Sequence, residues 1–269
     1  MNQKQRGNAA LEGKPVDRFP VTAIYNFLVY EDHFSELTRE PSWRYQEWRD
    51  CEPEIHLAWY RRMIEAAPFE MLQPVSNAPS REEREKVEYL LRDGIPMRHD
   101  RANDTWHVVS TSAPGGHINA STSNEEMKVR DSVDIEAQIP IPDPKKAIDA
   151  GANDYLDAVV REFGADHFVL TGGVVNAFYR CQHYVGLTNL FGLLIENPSF
   201  IDAVSARLLE QNLAIIHRIA EAGGDAIYLD DAMTTCDMIS PQQYERFSMP
   251  LMNKQIDEIH RLGFKAIVI

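Results

Sequence analysis

The feature that most constrains this fold lies at residues 197–231, where a long helical pattern runs directly into a short strand pattern. Asn197 can cap, Pro198 takes the first helical position, and Ile201, Val204, Leu208, Ile215, Ile219 and Ala222 recur at helical spacing. Gly223-Gly224 breaks that pattern. Ala226-Ile227-Tyr228-Leu229 then forms an apolar run that stops at Asp230-Asp231. A continuous apolar run preceded by an amphipathic helix reads as a parallel strand, because parallel pairing needs a crossover and leaves both strand faces covered. Polar residues at the C-terminal tip of such a strand stand where α/β barrels keep their chemistry.

The same unit recurs along the chain. Residues 2–12 read as a short polar helix. Pro15 to Tyr25 reads as a turn entering a buried strand whose polar end is Tyr25-Asn26. The Trp43, Tyr45 and Trp48 region reads as a packed rim, with substrate stacking as the alternative. Glu54–Ala67 is a helix with Ile55, Trp59, Met63 and Ala66 on one face, followed by a strand candidate from Phe69 to Val75. Residues 76–143 leave the rhythm: a charged helix Arg81–Leu91, turn signals at Asp93-Gly94 and Asn103-Asp104, and an alternating segment Thr105–Ser110. This region reads as an inserted β-rich excursion closed by Pro140, Pro142 and Pro144. The rhythm resumes with Lys145–Phe163, a helix broken at Gly151-Ala152. A strand follows from His167 to Gly173. After Asp231, Ser240-Pro241-Gln242-Gln243 opens a helix as a capping box, Pro250 should kink or split it, and Phe264–Ile269 is a fifth strand.

Composition narrows the function classes. A net charge of −14 leaves no basic surplus for nucleic acid or an anionic membrane surface. No apolar run approaches the roughly 18 residues of a membrane span, and the N-terminus carries no apolar signal region. Cys51, Cys181 and Cys236 are widely spaced and form no pair, which fits a reducing cytoplasm. No dinucleotide or phosphate-loop fingerprint follows the Gly172-Gly173 turn, and no serine sits on a nucleophile elbow.

Three stretches together resemble the uroporphyrinogen decarboxylase superfamily. They are Ala9-Ala10-Leu11-Glu12-Gly13 with Asp17-Arg18-Phe19-Pro20-Val21; Gly224-Asp225-Ala226-Ile227 ending in Asp230-Asp231; and Ile239-Ser240-Pro241 with Phe247 and Pro250-Leu251. The resemblance implies an α/β chain of the (β/α)8 TIM-barrel type. Residues 1–269 would form a single partial barrel domain with about five of eight strands, interrupted by the 76–143 excursion, and the remaining units would lie beyond Ile269. The superfamily includes tetrapyrrole decarboxylases and zinc-dependent methyltransferases that move a methyl group from a methylated corrinoid protein to a thiol. Where the decarboxylases carry an Arg-Gln-Ala-Gly-Arg stretch, this chain has Tyr25-Asn26-Phe27-Leu28-Val29-Tyr30-Glu31-Asp32, without arginine and with two acids that would repel a polyanionic substrate. The resemblance therefore favours the methyltransferase-like branch, acting on a thiol or folate-like acceptor. Uroporphyrinogen decarboxylation and a non-catalytic binding module are the alternatives. The branch's zinc ligands would lie beyond Ile269, so zinc is expected only in a longer protein, with the methylcorrinoid on a partner. An unclosed strand edge would favour a homodimer.

Asp230 and Asp231 are the candidate catalytic residues. Neighbouring strand residues point opposite ways, so only one of them should face the barrel axis; the alternative is that the pair serves as carboxylates capping the next turn. Tyr25, Asn26, Asn176, His183 and Tyr228 are candidate substrate-binding residues at or just past strand tips. Asp225 reads as a turn residue, and His217 and His260 as helix-surface or packing residues. His99, His107 and His117 have no three-ligand metal spacing.

Overall fold

The computed structural model describes residues 1–23, 26–109, 127–232 and 234–269. Among them are seven strands: β1 (Met71–Leu72), β2 (Val87–Arg92), β3 (Ile95–Asp100), β4 (Thr105–Val108), β5 (Phe168–Val175), β6 (Ala226–Asp230) and β7 (Lys265–Val268). The chain divides into two compact units. The first comprises Met1–Ile118, Lys145–Thr171 and Ala222–Asp225, and the second comprises Asn119–Pro144, Gly172–Glu221 and Ala226–Ile269.

In the first unit, β1 pairs in parallel with the start of β5, Met71 opposite Phe168 and Leu72 opposite Val169. The helix Pro53–Ala66 supplies His56, Leu57, Trp59, Tyr60, Met63 and Ile64 to the interior. Tyr30, Phe34, Tyr45 and Trp48 pack into the same cluster, so Tyr45 and Trp48 take the packing role. Of the expected stripe Trp59 and Met63 are buried, while Ile55 and Ala66 are exposed, because the buried face runs through 56–57, 59–60 and 63–64. An ion cluster anchors the N-terminal helix Gln3–Leu11. Arg6 grips Asp17 at 2.7 and 2.9 Å and meets buried Glu70 at 2.9 Å, and Arg18 also reaches Glu70. Asp17 and Arg18, two residues of the first resembling stretch, are thus structural ties.

Two expectations fail in this unit. The segment expected as the first strand is irregular at 15–23, and Asn26–Asp32 is helical; Ile24 and Tyr25 lie outside the described residues. Pro15 and Pro20 each lack a donor for a ladder. Only isolated bonds tie the segment to its neighbour, such as Glu70 N–H to the Val21 carbonyl at 2.9 Å. The helix expected over Arg81–Leu91 stops at Lys86, and Val87–Arg92 is strand β2. The cause is the two-residue turn Asp93-Gly94, with φ of 52° and 78°, which folds β3 back on β2 from Arg92↔Ile95 to Val87↔Asp100. Pairing overrides the local helical pattern.

In the second unit the order is β5-β6-β7, with β6 and β7 parallel from Ala226↔Lys265 to Leu229↔Val268. Pro198–Glu221 is one continuous helix, and Ile201, Val204 and Leu208 join Phe178, Ile239 and Phe247 in its core. The capping box at Ser240 forms as its sequence predicts. The helix is interrupted just before Pro250 by a π turn, Tyr244–Ser248, and resumes as Met249–Arg261.

Candidate active site at the strand tips of the second unit

Alternation along β6 sorts its side chains. Ile227 and Leu229 are fully buried, while Tyr228 and Asp230 share the other, partly open face. The neighbouring residue on that face of β5 is Gly173. A Cβ there would lie 1.8 Å from Tyr228 Cζ, so the tyrosine ring lies on the glycine backbone. Glycine is required at 173 by this close approach. Tyr228 thus lines the sheet face one step below Asp230.

The two aspartates have separate jobs. Asp230 Oδ1 accepts the Ala232 N–H at 3.1 Å, which closes the turn after the strand. Its carbonyl accepts the Asn176 N–H at 2.8 Å. Asp231 sits one residue past β6, with its N–H on the Ile269 carbonyl at 2.9 Å. Its Oδ1 accepts from Asn176 Nδ2 at 2.8 Å. The same amide nitrogen donates to Ser248 Oγ at 2.6 Å, and Asn176 Oδ1 takes the Phe178 N–H at 3.1 Å. Asn176 and Ser248 are both fully buried.

Burial pushes the Asp231 carboxyl above its ordinary pKa, and the Asp230 charge adds to the rise. Hydrogen bonds from Thr234, Asn176 and Ser248 act the other way. A desolvated carboxyl held by a fixed amide is the arrangement that tunes a carboxylic acid for proton transfer.

Around Asn176 the second unit is unusually polar inside. Arg180 bonds the side-chain oxygens of Asn212 and Gln211, Asn212 Nδ2 reaches the Val175 carbonyl at 2.8 Å, and Gln211 Nε2 reaches the Pro140 carbonyl at 2.7 Å. This network fixes the end of β5, and with it Asn176, to the helix Pro198–Glu221.

The structure thus brings together Asn176, Asp230 and Asp231, with Tyr228 beneath. His183 is exposed on the short helix Gln182–Val185. Partial desolvation and the Arg180 and Lys128 cations hold its pKa down, and it takes no part in the Asn176–Asp231 cluster. Asn26 belongs to the first unit. It is fully buried at the start of its helix, where Nδ2 meets the Met71 carbonyl at 3.4 Å and Oδ1 has no partner among the described residues. Tyr25 and His117 lie outside the described residues. Asp225 is structural, bonding the Val169 N–H at 2.9 Å and Lys4 at 3.0 Å. Ser248 escaped sequence reasoning, and its only signal is the nearby Pro250. Among the described residues no three His, Cys, Asp or Glu side chains converge as a metal site, and no helix is long and apolar enough to cross a membrane.

The family model for uroporphyrinogen decarboxylase (URO-D) matches residues 123–269, which include β5, β6, β7 and the whole strand-tip cluster. Among solved structures, a methyltransferase from Methanosarcina mazei is similar over 100% of this chain and 69% of that chain, with a TM-score of 0.59 and 15% sequence identity. At that identity the likeness speaks to the fold. No curated protein sequence gives a significant match.

Proposed function

Because the chain belongs to the uroporphyrinogen decarboxylase family, an α/β family of the (β/α)8-barrel class, we propose that it is a methyltransferase whose acid–base residue is Asp231. The methyl group would come from a methylated corrinoid protein and go to a thiol or folate-like acceptor, in the cytoplasm. The observation that carries this reading is the desolvated Asp231 carboxyl held by Asn176, whose amide is in turn bonded to Ser248, at the strand tips. The M. mazei methyltransferase with the same fold supports it. So does the helix Asn26–Asp32, which carries Glu31 and Asp32 but no arginine to grip a polycarboxylate.

Asp231 would accept the acceptor thiol's proton as its sulfur attacks the methyl carbon. The carbon–cobalt bond breaks, and the cobalt keeps the electron pair. A raised pKa strengthens the carboxylate as a base for this step. Tyr228 would limit how deep the acceptor enters. Among the described residues neither His nor Cys joins the cluster, and Asp231 Oδ1 accepts the Asn176 amide N–H. No step is routed through a metal.

The test supplies the protein with methylcobalamin and a series of thiols, and in parallel with uroporphyrinogen. Thioether formation with loss of the methylcobalamin absorbance is the expected result. Carbon dioxide release from uroporphyrinogen without methyl transfer would replace this reading with the decarboxylase one.

A further inference from the structure

Ser248 reaches the cluster because of how its helix is built. Between Pro241–Gln243 and Met249–Arg261 the backbone widens, and the Met249 N–H bonds the Tyr244 carbonyl five residues back. An α-helix would use four. The cause is two residues on, at Pro250. Its ring would strike the carbonyl of Arg246 in a continuous α-helix, and it has no N–H to donate. The wider turn removes the conflict by inserting one extra residue, which rotates the side chains beyond it by about 100° relative to those before. Ser248 then falls on the same buried stripe as Met252, Gln255 and Ile259. There its Oγ accepts at 2.6 Å from the Asn176 amide nitrogen, which also donates to Asp231 Oδ1 at 2.8 Å.

We infer that Ser248, delivered by the π turn, is the positioning residue of this site: it locks the Asn176 amide and the Asp231 carboxyl into one arrangement. This rests on the reading of Asp231 as the acid–base group. The groups that face Asp231 are Asp230 on its own strand, Asn176 from the end of β5, Thr234 from the following loop, and Ser248 and Tyr244 from the π turn. Asp230 is the only carboxyl group among them, and Ser248 itself is uncharged. Loss of the serine hydroxyl should therefore act on Asp231 through hydrogen bonding, not through a change of charge.

The experiment is a carboxyl NMR titration of the full chain labelled with 13C at aspartate, the Asp231 signal being assigned by its absence in Asp231→Asn. Ser248→Ala should loosen the Asn176 amide and so raise the Asp231 midpoint by up to about one pH unit, the scale of losing the one amide hydrogen bond to the carboxylate. Ser248→Thr, which keeps the hydroxyl, should bring it most of the way back. An unchanged midpoint in Ser248→Ala, or an equal rise in Ser248→Thr, overturns the inference. Should Ser248→Ala fail to fold, Pro250→Ala takes its place. Relaxing the turn towards α-helix should withdraw Ser248 and raise the midpoint, and an unmoved midpoint there also overturns the inference. The titration needs no turnover, so absence of methyl transfer would remove the proposed reaction and leave this result standing.

Discussion

Each unit buries a titratable group, and the two groups end up with opposite uses. In the first, His56 is stacked between Trp48, with ring centroids 4.6 Å apart, and Tyr155, at 3.9 Å. Its Nδ1 lies 3.1 Å from the Trp48 carbonyl, and Nε2 has no partner among the described residues. Burial lowers its pKa to about 4. In the second, burial raises Asp231, yet Asn176, Ser248 and Thr234 surround it with polar partners at an open strand tip. Desolvation alone makes His56 a neutral packing element. Desolvation combined with fixed hydrogen bonds and access makes Asp231 a candidate for proton transfer.

The largest effect that sharpens this contrast belongs to the aromatic cluster. Trp48→Ala removes a fully buried ring and a donor to the His56 carbonyl at 3.1 Å. It should cost about 3–5 kcal/mol in urea denaturation. A loss below about 1 kcal/mol would mean the cluster is not the core of its unit.

Next is the pH dependence of stability. His56 has a folded pKa of about 4 against an ordinary 6.5, so its neutral form is favoured by folding. Its contribution is complete above pH 6.5, falls as pH drops from 6.5 to 4, and is gone below. The difference is worth roughly 3 kcal/mol. Denaturation midpoints between pH 7 and 4 should show this loss, and His56→Phe should flatten it. An equal slope in both proteins would assign the loss to other groups.

The smallest of the three lies on the site side. Gly173→Ala drives a methyl group into the Tyr228 ring and should destabilise by about 1–3 kcal/mol. Tyr228→Ala in the same chain should recover most of that cost, and independent, additive effects would show that the ring does not rest on the glycine.

Much of this molecule is legible where proline and glycine punctuate it. The Pro198 start, the Gly223-Gly224 break, the Ser240 cap and the Asp93-Gly94 turn all stand where the sequence predicts. The losses have physical causes. The segment from Pro15 reads as a strand from its apolar residues, but Phe19 and Val21 stay exposed and the prolines break any ladder. Val87–Arg92 reads as helix because its decisive partner is a strand that comes later in the chain. At the site, Asp230 and Asp231 were visible as a pair, but only geometry assigns one to the turn and the other to the cluster. Ser248 is a single serine between Phe247 and Met249, and nothing in local pattern marks it until the π turn carries it inward.

The central claim is that Asp231 serves reaction and not folding. The direct measurement is methyl transfer from methylcobalamin to a thiol by Asp231→Asn, alongside its urea midpoint. The predicted result is a rate reduced by about 100-fold or more, the scale of a lost acid–base group, with a midpoint close to that of the parent. A variant that unfolds readily while its folded fraction keeps the parent rate would contradict it and return Asp231 to a structural role.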